Sequence, residues 1–180
     1  DPLPMRPPLI DLPELPDILL PNLKLVFVGY NPSLPAARAG HYYAGPHNHF
    51  YRLLYESGLV PTLLSYHDDD SLPRHGIGLT DLCPIPTGQA AHLPAGALQA
   101  GREALAAKIE RWRPGIVCFN GLGVYRAYFG RPPAGTGLQQ PLIGVSRVFV
   151  VPSTSPANNG LMRERELAFA ALARLVRTAR

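Results

Sequence analysis

Three runs of four apolar residues constrain this chain more than any other feature: Leu25-Val26-Phe27-Val28, Ile116-Val117-Cys118-Phe119 and Val148-Phe149-Val150-Val151. They are rich in β-branched and aromatic residues, which suit a pleated, buried surface. None alternates with polar residues, so neither face of such a strand is made for water. That is the pattern of central parallel strands covered on both sides. Each run breaks into small or polar residues: Gly29-Tyr30-Asn31-Pro32, Asn120-Gly121 and Pro152-Ser153-Thr154-Ser155. A shorter strand is read over 77–82, around Ile77, Leu79 and Leu82.

Helical periods fill the gaps. Residues 47–57 carry Phe50, Leu53 and Leu54 and stop at Gly58. Residues 95–113 carry Leu98, Leu105, Ile109 and Trp112 on one face, and Pro114 ends them. A helical stretch follows Asn120-Gly121 to about residue 129. The last helix, about 161–178, turns Leu167, Ala171, Leu172, Leu175 and Val176 inward. Residues 130–144 are rich in Gly and Pro and read as a loop. Strands alternating with helices predict a three-layer α/β/α sandwich around a short central parallel sheet. Ligands of such sheets bind outside the carboxyl ends of the strands. Attention therefore falls on the loops after residues 28, 81, 119 and 151.

At 180 residues the chain can build one domain with its own core. Residues 1–22 hold seven prolines and read as an extended or partly disordered arm, with a single domain over 23–180. No apolar run approaches the ~20 residues of a membrane span. The start, Asp1-Pro2-Leu3-Pro4, lacks the order of a signal peptide. Cys83 and Cys118 are far apart in apolar stretches and read as buried thiols, too few for an iron–sulfur cluster. A reducing location is expected: cytoplasmic, at a nucleoid, or otherwise intracellular. The net charge of +4 permits a nucleic-acid partner without demanding one. Nearly all of the positive charge is arginine, with Lys24 and Lys108 the exceptions.

The loop after the first strand, Gly29-Tyr30-Asn31-Pro32-Ser33-Leu34, is followed by Gly40-His41-Tyr42-Tyr43-Ala44-Gly45-Pro46-His47-Asn48-His49-Phe50. Further on come Asp68-Asp69-Asp70-Ser71-Leu72-Pro73, Gly76-Ile77-Gly78-Leu79-Thr80-Asp81, Phe119-Asn120-Gly121 and Val151-Pro152-Ser153-Thr154-Ser155. In this order and spacing the set resembles the mismatch-specific uracil and thymine-DNA glycosylases of the uracil-DNA glycosylase superfamily. The resemblance implies that family's fold and a monofunctional hydrolysis of the bond between base and deoxyribose, with no metal or cofactor. The implied partners are double-stranded DNA with a flipped base, or single-stranded DNA, and downstream abasic-site repair enzymes. A monomer is expected.

Breaking an N-glycosidic bond puts positive charge on the sugar and negative charge on the base. The site needs a placed water, donors to the base oxygens and a stacking surface. Asn31 matches the family's catalytic asparagine, whose amide holds the water. An amide cannot take a proton at neutral pH. By itself Asn31 also fits an Asx-turn before Pro32. Tyr43 matches the stacking position, with a core or rim tyrosine as the plain alternative. Backbone N–H groups near Tyr30 and Tyr43 match the donors to the base carbonyls. Ala36 matches a position near the base's 5-substituent, where a small side chain tolerates methyl.

Asp81 departs from the family, which places asparagine or lysine there. It reads as a general base, as a protonated donor raised in pKa by burial, or as a structural carboxylate. Ser153 matches a phosphate contact or closes the loop. Ser155, Pro156 and Ala157 stand where relatives present a large wedge, leaving Pro156 as a small rigid one.

Other patterns are weaker. His67-Asp68-Asp69-Asp70 reads as a solvated acidic turn, not a metal site. His41 and His49 fit a pocket rim or plain hydrogen bonding. Arg126 stands where a dinucleotide turn after Asn120 would need glycine. Arg163, Arg165 and Arg177 fit phosphate contacts or a solubilised helix equally. Two other function classes stay open: a nucleic-acid-binding module without catalysis, and an enzyme on free nucleosides.

Overall fold

The computed structural model describes residues 12–179, apart from the side chains of residues 90, 158 and 159. The first half of the proline-rich arm, residues 1–11, lies outside the described residues. Strand β1 is Leu25–Gly29, β2 Ile77–Asp81 and β3 Ile116–Asn120. The antiparallel pair β4, Gly137–Ile143, and β5, Ser146–Val151, completes a five-stranded sheet of order β2-β1-β3-β5-β4. Strands β2, β1, β3 and β5 run parallel.

The sheet is therefore mixed, not wholly parallel, and the segment expected to be a loop holds its edge strand. The reason lies in β4 itself. It contains Pro141, and only Gln139 and Ile143 are buried along it, so no apolar run announces a strand. A register shift between Gln139 and Ile143 accommodates the proline. Proline is tolerated on an edge, where one side of the ladder needs no donor.

Among the described residues five α-helices accompany the sheet: α1 Leu34–Ala39, α2 Phe50–Glu56, α3 Ala97–Trp112, α4 Leu122–Phe129 and α5 Met162–Thr178. Alternate residues of β1 serve opposite layers. Phe27 sits between Phe50 of α2, 5.0 Å away edge-on, and Phe169 of α5, stacked at 5.9 Å. Val28 faces the other way, into a cluster with Leu105 and Ile109 of α3 and Val124 and Tyr125 of α4. This is the predicted three-layer sandwich. One expected inward residue of the last helix is wrong: Leu167 is 58% exposed, and Arg165, Ala168, Phe169, Leu172 and Ala173 form the buried stripe.

The second half of the arm lies along β2, on the edge that β1 does not cover. Ile18 and Leu79 exchange backbone hydrogen bonds, each 2.9 Å. The Asp17 carboxylate accepts from the Thr80 hydroxyl at 2.6 Å and pairs with Lys108 of α3 at 2.7 Å. Gly78 makes this docking possible. A Cβ there would stand 2.6 Å from both the Ile18 carbonyl oxygen and Leu23. Gly78→Ala is therefore expected to cost about 1–3 kcal/mol and to loosen the arm. Limited proteolysis checks this: cleavage around residues 12–22 should speed up at least severalfold relative to wild type.

Candidate active site

All four parallel strands end at the same edge of the sheet and release their polar residues there. They surround a cavity of about 230 Å³. Tyr30 and Asn31 follow β1, Asp81 closes β2, Asn120 closes β3, and Ser153 and Ser155 follow β5. Ala36 of α1 and Tyr43 line the same space. Of the residues expected from the sequence, Tyr30, Asn31, Ala36, Tyr43, Asp81, Ser153 and Ser155 therefore line one cavity. Pro156 and Ala157 do not line the cavity. They are exposed and begin a 3₁₀ helix, Pro156–Leu161.

Asn31 is fixed in one orientation. Its amide nitrogen donates to the Ile85 carbonyl at 2.9 Å and to the Thr87 hydroxyl oxygen at 2.8 Å. Thr87 spends its own hydroxyl proton on the Gln89 carbonyl, 2.7 Å away, so it can only accept from Asn31. Both amide protons are used, and the side-chain oxygen remains as an acceptor. The Asx-turn is not what holds this residue. Its contacts reach more than fifty residues along the chain.

Asp81 is 8% exposed, and its carboxyl group makes no hydrogen bond among the described residues. Burial pushes its pKa up from 3.8 to about 7, with the Asp17 carboxylate adding to the rise and Lys108 opposing it. The carboxyl group lies over Gly29, where a Cβ would collide with Asp81 Oδ1 and stand 3.1 Å from the Tyr43 hydroxyl. Tyr43 adopts a left-handed backbone, φ 57°, and its ring lies 4.2 Å from that of Phe50. Its hydroxyl is buried without a well-formed hydrogen bond, beside Asp81 and Asn120. Burial first, then the Asp81 charge, hold its pKa well above the usual phenol value. Burial also raises that of Tyr30. Ala36 is 3% exposed, and its backbone N–H caps onto the Ser33 hydroxyl oxygen at 3.2 Å.

The loop after β5 is held from three sides. Asn120 clasps Thr154: its Nδ2 donates to the threonine hydroxyl at 3.0 Å, and its Oδ1 accepts from the backbone N–H at 3.1 Å. The His49 backbone N–H donates to the Thr154 carbonyl at 3.0 Å. Arg165, fully buried, donates to the Ser153 and Ser155 carbonyls, both at 2.7 Å.

Asn120 and Thr154 were not singled out as site residues, and Arg165 was grouped with Arg163 and Arg177 as a phosphate contact or a solubilising charge, whereas it is buried behind the loop. Asn120 at the end of an apolar strand was the available signal. Nothing in the sequence separated Arg165 from its exposed neighbours. The acidic turn also differs from expectation. Asp69 is 4% exposed and accepts from His41 Nδ1 and the Tyr42 N–H, both at 2.9 Å, so it pins the Tyr42–Tyr43 segment instead of meeting solvent.

A model of the uracil DNA glycosylase superfamily matches residues 16–176. The chain belongs to the uracil DNA glycosylase superfamily. A G/U mismatch-specific uracil DNA glycosylase of Schizosaccharomyces pombe is 32% identical over 165 residues, covering 86% of this chain and 51% of that one. The chain thus spans about half the length of this curated relative. The fold is shared with the solution structure of a candidate uracil DNA glycosylase from Methanosarcina acetivorans. There the TM-score is 0.62 at 20% identity, over 91% of this chain and 97% of that one.

Two outcomes follow from Asp81. The folded protein keeps the Asp81 proton up to about pH 7, whereas the unfolded chain releases it near 3.8. Stability attached to this group is therefore full at low pH and lost as pH rises between those values. Asp81→Asn should match wild type near pH 4 and exceed it by a few kcal/mol at pH 8, read from urea midpoints. Gly29→Ala should displace the carboxyl group and cut any Asp81-dependent activity at least tenfold, with a far-UV spectrum like wild type.

Proposed function

We propose that this chain is a monofunctional DNA glycosylase of base excision repair. It takes uracil, in a G:U mismatch above all, and other damaged or mismatched pyrimidines, and leaves an abasic site. The observation that carries the reading is the juxtaposition, on one cavity, of a free Asn31 side-chain oxygen and a buried Asp81 whose pKa lies near 7. Family membership and the mismatch-specific relative support the same reaction class.

In this reading Asn31 Oδ1 accepts a hydrogen bond from a water and fixes its direction. Asp81 accepts the water's other proton. The water's oxygen bonds to the anomeric carbon as the bond to the base breaks, and the electron pair leaves with the base. A base works best with a pKa near the working pH, which the value near 7 meets. An ionised carboxylate against the leaving anion would oppose the reaction, so Asp81 serves the sugar side. Tyr43 offers a stacking face, worth roughly 1–3 kcal/mol, and backbone N–H groups near Tyr30 and Tyr43 receive the charge on the base. Ala36 leaves room beside the base. Neither lysine side chain lines the cavity, which favours plain hydrolysis over Schiff-base chemistry.

The substrate is double-stranded DNA with a flipped base, or single-stranded DNA, gripped at Ser153, Ser155, Pro156 and Ala157. The product passes to enzymes that process abasic sites inside the cell, and the protein acts as a monomer.

Single-turnover cleavage of uracil oligonucleotides, duplex and single-stranded, tests this from pH 5 to 9. The wild-type rate should rise with pH through about 7 and then level. Asp81→Asn should lose about 10²–10⁴-fold and the pH dependence with it. Asn31→Ala should lose at least tenfold at every pH. A rate that falls as pH rises through 7 would make Asp81 a proton donor instead. Binding without any turnover of uracil or other mismatched pyrimidines would leave only a nucleic-acid-binding module.

A further inference from the structure

Among the described residues Arg165 is the largest side chain wholly excluded from solvent, and it is charged. Among the described residues no carboxylate pairs with it. Its Nε and Nη2 groups donate to the Ser153 and Ser155 carbonyls, and its Nη1 group is buried with no partner. Burying a cation against neutral carbonyls is costly, and burial lowers its pKa. Neutral donors could satisfy two loop carbonyls without that cost. The charge itself calls for a role.

The other side of the loop supplies one. The Ser153 hydroxyl oxygen accepts from the Ser155 N–H at 3.2 Å, and the Ser155 hydroxyl oxygen accepts from the Ala157 N–H at 3.5 Å. Both oxygens are engaged as acceptors, so each hydroxyl keeps its proton to donate. The loop thus carries two hydroxyl donors on a backbone that a cation braces from within.

We infer that Arg165 is a positioning residue for the DNA backbone, holding the Ser153–Ser155 loop from within and supplying the positive charge that draws a phosphate onto the two serine hydroxyls. This rests on the glycosylase reading, because that reading brings a phosphodiester to this loop. Arg165 touches no DNA itself. The part it plays is electrostatic and geometric, exerted through Ser153 and Ser155.

The probe is a duplex carrying a non-cleavable 2′-fluoro-deoxyuridine opposite guanine, with Kd measured from 50 to 200 mM salt. Each phosphate neutralised contributes a slope of about 0.9 in log Kd against log salt. Arg165→Gln should weaken binding at least tenfold at the lowest salt and reduce the slope by about one. Arg165→Lys, which keeps the charge, should restore the slope. Wild-type affinity in Arg165→Gln, a weakening with an unchanged slope, or a lysine variant no better than glutamine would each reduce Arg165 to a structural brace.

If the Arg165 variants do not fold, Ser153→Ala with Ser155→Ala decides. The pair must lower the slope by about one, and an unchanged slope overturns the inference. A wild-type protein that does not bind the duplex at all defeats the glycosylase reading, and this inference with it. Wild-type binding with an unaltered variant slope defeats this inference alone.

Discussion

The register that sets Gly29 opposite Asp81 at the ends of β1 and β2 governs the whole site. Neighbouring residues in a parallel pair point their side chains to the same face. Glycine supplies none, and the vacant space is where the Asp81 carboxyl group lies, with the Tyr43 hydroxyl bordering the same space. One residue of slip would turn Asp81 toward the opposite layer. The flanking runs prevent it: Leu25 to Val28 and Ile77 to Thr80 are buried throughout, so any slip would strand apolar side chains against the wrong helices. The core thus sets the position of a carboxyl group that it does nothing to solvate.

Among the described residues two buried polar atoms lack a partner, the Tyr43 hydroxyl beside the cavity and Arg165 Nη1 behind its loop, and the Asp81 carboxyl group lines the same cavity. Folded proteins satisfy almost all buried polar atoms, so exceptions that cluster mark places where stability has been traded for something else. The rest of the site is the reverse. Asn31 through its amide nitrogen, and Asn120, Asp69 and Thr154, are held by hydrogen bonds that fix their loops. Rigid supports around a few under-solvated groups are what preorganised electrostatic catalysis requires.

The sequence carried the fold wherever a strand was buried on both faces. Runs such as Ile116–Phe119 leave no other interpretation, and helices α3 and α5 follow from their periods. It failed at β4, where a proline-bearing edge strand has neither run nor alternation. It carried the site through strand ends and family resemblance, because Asn31, Asp81 and Ser153 sit where parallel strands open to solvent. It could not carry Arg165 or Asp69. Whether a charge on a helix or in a turn points inward depends on a few tens of degrees of rotation, and neighbouring charges of the same type hide the answer. The pKa of Asp81 was equally out of reach, since Asp17, which adds to its rise, comes from an arm sixty-odd residues earlier in the chain.

The loop after β5 shows how the parts act together. Its tip, Pro156 and Ala157, offers little bulk to push into a duplex, while its backbone from Ser153 to Ser155 is committed on three sides. A loop built this way resists deformation better than it displaces a base. Extruding a nucleotide costs a few kcal/mol, and least where pairing is already faulty. A glycosylase with a rigid, blunt loop leaves most of that cost with the DNA. Under the proposed function, selection of mispaired or unpaired uracil would rest on the instability of the substrate more than on contacts made to the opposite base.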